Sequence, residues 1–178
     1  MGKHAFYILV FFIVVIAGEQ LYGQKPFSIY IERFKLPGSK ELVMEKAYKW
    51  IQRDPEFEII ETDSNRGILR AKAKFNYKNE VVLEEIFLSP RINEKTSGIV
   101  KYLIIVTVSD TSYTIEFANF QHVSTYDAEQ YSFGIIPKRY EDFYRLCNEN
   151  HEWCKLVWMD ITKTAKLNIR MKRIKANW

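Results

Sequence analysis

Histidine and cysteine are scarce in this chain, with three and two residues among 178. That scarcity excludes the commonest catalytic and metal-binding signatures. Cys147, His151 and Cys154 offer three side chains able to ligate a metal, but no fourth is evident and their spacing matches no zinc pattern. No metal and no cofactor is expected. His122 stands close to Ser124 and Asp127, the residue types of a base, nucleophile and acid. The chain has no Gly-x-Ser-x-Gly elbow and no oxyanion-loop signature, and serine and aspartate near a strand-end histidine are ordinary in loops. His122 is read as a hydrogen-bonded structural residue. No residue is assigned a catalytic role, and the chain is not expected to be an enzyme.

Apolar runs of spanning length are also lacking. The longest, residues 5–17, has 13 residues, against about 20 for a membrane-spanning helix. It follows Lys3 and His4 and ends at Glu19 and Gln20, the layout of a signal peptide. Residues 1–23 are read as that signal, cut after Gly23 or, as second choice, after Gly18. Residues 24–178 then form a single domain. Export to the periplasm or the outer cell surface is expected, with no integral membrane segment after cleavage and, without a cysteine near either site, no lipid anchor. The formal charge of +4 is mild and does not indicate nucleic acid. In an exported chain, two cysteines more often pair. Seven residues along one continuous helix rise about 10.5 Å, too far for a disulfide, whereas a break near 148–150 permits one. A Cys147 to Cys154 bridge and two buried thiols both remain open.

What the chain does have is β-branched and aromatic sequence, concentrated in residues 98–123. These read as a hairpin with Asp110 and Thr111 at the turn. That register sets Val108 opposite Tyr113, Val106 opposite Ile115 and Ile104 opposite Phe117, whereas a slip by one residue destroys the apolar face. The other face mixes Lys101, Thr107, Thr114 and Glu116 with the apolar Leu103 and Ile105. A cover or partner is expected there, and a bare solvated face would count against a binding role for the domain.

Upstream, residues 27–35 alternate as a first strand, with Phe27, Ile29 and Ile31 on one side and Ser28, Tyr30 and Glu32 on the other. Ser39 caps a helix through about Arg53, with Val43, Ala47, Trp50 and Ile51 on its apolar stripe. A short strand over 56–62, a turn over 63–67 and a strand over 68–77 follow. The last carries Arg70, Lys72 and Lys74 on one face, read as solvated surface; an anion site would need convergent groups from elsewhere. Residues 81–88 read as an extra strand, residues 89–98 as loop and residues 124–139 as irregular. From Tyr140 the pattern is helical, with a second part from about His151 whose stripe is Cys154, Val157, Trp158, Ile161, Ala165 and Ile169. The order β-α-β-β-β-β-α predicts an α+β fold: a mainly antiparallel sheet with two helices on one face.

Three segments, LVMEKAYKWI, TDSNRGILRAKAKF and YLIIVTVSDTSYTIEFANFQHV, together resemble a bacterial family known as a domain of unknown function with a TATA-box-binding-protein-like (TBP-like) fold. The resemblance spans roughly residues 27–122 and implies an exported α+β domain: a curved antiparallel sheet backed by two helices. It implies no activity, and sharing a fold with a DNA-binding protein does not transfer DNA binding. The function expected is a non-catalytic binding or interaction domain of the cell envelope, meeting an envelope protein or a glycan and no nucleic acid. Leu103, Ile105, Tyr126, Tyr131 and Phe133 are the candidate partner surface, although the aromatic rings of this set are read first as covering one face of the sheet and only second as exposed rings that stack on sugars or meet a protein. The alternative is a carrier of small apolar ligands, with a cavity between the curved sheet and the last helix.

Overall fold

The computed structural model describes residues 28–82, 91–144 and 150–174. The expected signal segment 1–23, most of the expected strand over 81–88, and Cys147 lie outside these residues.

Strand β1 (Ser28–Lys35) is followed by helix α1 (Lys40–Arg53), then β2 (Phe57–Asp63) and β3 (Ile68–Tyr77). A one-turn helix α2 (Ile92–Lys95) leads into the long pair β4 (Gly98–Val108) and β5 (Ser112–Ser124). A two-residue strand β6 (Gly134–Ile135), a short helix α3 (Tyr140–Tyr144) and the long helix α4 (His151–Ile174) complete the order. All strands pair antiparallel in the order β1-β5-β4-β3-β2, with β6 joining the far end of β5.

The central register is the one parity demands: Val108 pairs with Tyr113, Val106 with Ile115 and Ile104 with Phe117. Ile104, Val106, Ile115 and Phe117 are at most 1 % exposed, beneath the helices. Past Phe117 the register shifts between Lys101 and Leu103, and Asn119 takes φ +54°. This bulge accommodates an extra residue and returns Phe120 and His122 to the core side.

Two glycines are required by close approach. A Cβ on Gly67, whose φ is +70°, would stand 2.2 Å from the Val108 carbonyl oxygen, and one on Gly98 would stand 2.1 Å from that of Val123.

Helix α1 begins where Ser39 Oγ accepts from the Leu42 N–H at 3.2 Å, and it buries Val43, Met44, Ala47, Trp50 and Ile51. Helix α4 buries Trp153, Cys154, Val157, Ile161, Ala165 and Ile169. Both stripes join one apolar cluster with Leu69, Ala71, Ala73, Phe75 and Tyr77 of β3, so the helices share one side of the sheet. Lys172 fastens the end of α4 to the α1–β2 connection, reaching Asp54 Oδ2 and Glu56 Oε2 at 2.6 Å each. Tyr77 donates to Asp160 Oδ2 at 3.0 Å, tying β3 to α4.

Two local expectations change, and the two sides of β1, left unassigned in the sequence, are resolved. In β1 the core side is Tyr30, Glu32 and Phe34, which pair with Phe117, Ile115 and Tyr113, while Ile31 points outward and is 59 % exposed. Phe34 and Tyr113 stack with ring centroids 4.8 Å apart, so two aromatic rings outweigh one aliphatic side chain. Residues 92–95, expected as loop, form the α2 turn, held by Thr96 Oγ1 donating to the Ile92 carbonyl. The irregular 124–139 stretch contains β6.

Candidate functional site

Alternation along β3, β4 and β5 puts one set of side chains under the helices and leaves the other set on a face that no described helix covers. Reading across that open face, Glu58, Lys72, Leu103 and Ala118 form one row by register, and Lys74, Lys101 and Gln121 form the next. A third row runs through Glu61, Arg70, Ile105, Glu116 and Ile31. Ile105 and Ala118 are buried apolar residues outside the main core cluster. Ile105 is sheltered by its neighbours within the sheet: Arg70 and Glu116 flank it, and Arg70 Nη1 meets Glu61 Oε2 at 2.6 Å. No described element of this chain covers the face, which is solvated in part: Lys72, Lys74, Lys101, Thr107 and Gln121 are exposed, Leu103 is half-buried, and Ile105 and Ala118 are buried.

Where the first two rows meet, the sheet is hollowed into an open trough of about 590 Å³. Half-buried Leu103 lines it together with Lys72, Lys74, Lys101, Asn119 and Gln121, and Glu58 stands on the β2 side. The bulge brings Asn119 there. Sequence reading assigned Leu103 and Ile105 to a partner surface and read Lys72 and Lys74 as solvated, with an anion site requiring convergent groups that it did not supply. The signal of the lysine row was present in the alternation of β3, and its convergence with Lys101 and Gln121 required the β3–β4–β5 register.

The aromatic residues expected beside Leu103 are elsewhere. Phe133 is a core residue, packed against His122, Phe143 and Trp153 at ring separations of 4.8, 5.5 and 6.0 Å. β6 draws it inward by pairing with β5. Tyr126 and Tyr131 meet edge to face at 5.8 Å, with Lys95 Nζ lying 5.7 Å and 5.0 Å from their ring centres. Lys95 also donates to the Tyr131 hydroxyl, which holds its ammonium above the usual range despite some opposing desolvation. This cluster caps the Gly98–Ser124 end of the β4–β5 pair, about 16 Å along the strands from Leu103. The five residues do not form one surface.

His122, Ser124 and Asp127 have separate hydrogen-bonding tasks. His122 Nδ1 accepts from the Phe133 N–H at 3.1 Å, Ser124 Oγ donates to the Lys95 carbonyl at 2.6 Å, and Asp127 Oδ1 accepts from the N–H groups of Glu129 and Gln130. Burial pushes the His122 pKa down to about 4, with the Thr96 backbone opposing in part, so the ring is neutral at physiological pH. Cys154 is buried and disulfide-bonded. Among the described residues there is no cluster of three or more metal-ligating side chains, and no helix long and apolar enough to cross a membrane.

Beneath α4 the space is filled, since Trp153, Cys154, Val157 and Ile161 are at most 1 % exposed. The groove of about 710 Å³ beside α4 lies on its outer flank, against Val81, Leu156, Met159 and Leu167.

No family model and no curated protein matches the chain. Solved structures do match it. A DUF4468 family protein from Bacteroides ovatus aligns with a TM-score of 0.53 at 12% identity, over 83% of this chain and 84% of that one. A TBP-like protein from Parabacteroides distasonis aligns with a TM-score of 0.50 at 15% identity, over 83% and 90%. The fold is TBP-like. At these identities the likeness concerns the fold alone. The TBP-like arrangement agrees with the curved antiparallel sheet carrying its helices on one side.

Proposed function

We propose that this TBP-like chain is a non-catalytic binding module of the cell envelope, exported by its first 23 residues, and that its partner meets the open face of the sheet. One observation carries the reading: a trough of about 590 Å³ hollows the face that the helices leave free, with half-buried Leu103 against it. Its volume falls in the range of roughly 300–1,000 Å³ usual for ligand sites. The filled contact beneath α4 favours this reading over a carrier with an internal cavity. The separate structural tasks of His122, Ser124 and Asp127 favour binding over catalysis.

A photoreactive residue placed at Gln121, inside the trough, and another at Lys49, on the solvent side of α1, test this reading in intact cells. The expected result is a discrete adduct from position 121 and none from position 49, with the protein recovered from the envelope fraction. Equal labelling at both positions, or recovery in the cytoplasm, would overturn it.

A further inference from the structure

The trough contains a charge arrangement that folding alone does not account for. Lys74 and Lys101 are direct cross-strand partners on the open face, and Lys72 lies two residues along β3 on the same side. Directly opposed like charges destabilise a sheet. Among the described residues none of these three ammonium groups forms an ion pair or hydrogen bond, although Glu58 lies opposite Lys72 in the register. Two carboxylates line the trough, Glu58 and Glu56, of which Glu56 holds Lys172; Glu61, outside the lining, holds Arg70. The row continues with Gln121 opposite Lys101, and the bulge brings Asn119 to the same trough.

We propose that this trough binds a hydroxylated anion, of the chemical class of an acidic sugar or a short oligomer of one. The inference rests on the open face being the docking surface and names the chemistry recognised there. Three features select this class. The ammonium groups of Lys72, Lys74 and Lys101 act as point charges for carboxylates and would relieve their own mutual repulsion. The amide of Gln121 both donates and accepts, as sugar hydroxyls do. Leu103 supplies apolar contact for the C–H face of a ring. Across the four strands the trough extends about 14 Å, so it offers room beyond a single carboxylate. An acidic peptide suits the site less well. The strand backbone beneath the trough is already committed to the sheet ladder, so a peptide laid on this face would gain no main-chain hydrogen bonds.

The test is titration of the intact mature chain with trigalacturonate, with neutral maltotriose, triglutamate and inorganic phosphate as comparison ligands. Trigalacturonate is expected to bind, and to weaken severalfold when ionic strength rises from about 0.05 to 0.3 M. The Lys74→Glu/Lys101→Glu variant is expected to keep the thermal midpoint of the parent while losing about tenfold or more in trigalacturonate affinity. Lys101→Gln, which removes one charge and keeps the length of a polar side chain, is expected to lose less. Absence of trigalacturonate binding would overturn the inference, as would equal binding of triglutamate or phosphate, or affinity unchanged in the double variant. If trigalacturonate fails while the adduct at position 121 persists, the chemistry assigned here is wrong and the docking face stands. Loss of both removes the docking face as well.

Discussion

The two faces of the sheet are made by the same strands and obey opposite rules. On the helix side, β3, β4 and β5 present Leu69, Phe75, Ile104, Val106 and Phe117, each at most 3 % exposed and joined in one cluster with α1 and α4. On the open side the same strands present Lys72, Lys74, Lys101, Thr107 and Gln121, all exposed, around a half-buried Leu103. Substitution should therefore separate the two: the first face determines whether the chain folds, and the second determines what it meets. A single polar substitution inward costs a large part of the few kcal/mol that hold a domain together. A comparable substitution outward costs little.

The largest effect is expected from Trp153→Ala, which empties the space of the largest fully buried side chain. A loss of about 3–5 kcal/mol in denaturant unfolding is predicted. His122 gives a sharper reading of the same face because its charge can be set by pH. Its pKa falls from 6.5 to about 4 in the folded chain. The neutral ring therefore stabilises the fold fully above pH 6.5, and that stability is lost as the pH falls towards 4. The whole window is worth about 3 kcal/mol at 1.36 kcal/mol per unit. His122→Gln, which keeps an acceptor for the Phe133 N–H, should flatten the dependence of stability on pH between those values, as read by urea unfolding at several pH values.

Lys172→Met removes the cation shared by Asp54 and Glu56, together with its approach to the Phe57 ring, while keeping an unbranched side chain. Lys172 is 15 % exposed and Glu56 39 %, so the expected loss, roughly 2–3 kcal/mol, lies below the range for a fully buried pair. It should shrink in high salt. The smallest effect belongs to the open face. Lys74→Glu/Lys101→Glu should leave stability within about 0.5 kcal/mol of the parent. A large loss there would break the contrast between the faces.

Much of the helix-side architecture was legible in the sequence because it follows from parity and helical spacing. Ile104, Val106, Ile115 and Phe117 can share a face in only one hairpin register, and that register is observed. The stripes of α1 and α4 were legible for the same reason, and the likeness to TBP-like structures accords with the order of elements. Strand β1 was not, because Tyr30 and Phe34 compete with Ile31 and both sides of the strand are partly apolar. The bulge at Asn119 had no glycine to mark it, and asparagine tolerates positive φ without a sequence signal of its own. Phe133 covers the sheet, the first of the two readings its aromatic segment allowed, but β6, which sets it there, gave no sequence signal. The trough was half visible. Lys72 and Lys74 stood on one face of β3 in the sequence, but Lys101, Gln121 and Asn119 converge on them only through three-strand register and a bulge.

The contrast can be tested with one variant, Leu103→Asp, read two ways: by its thermal midpoint and by the yield of the adduct from a photoreactive residue at Gln121. Leu103 faces the open trough between Lys72 and Ala118 in the register, so a carboxylate there remains in contact with water. The predicted result is a midpoint within a few degrees of the parent together with loss of the adduct. An unfolded variant, or a folded one whose adduct is undiminished, would contradict the assignment of binding to the open face.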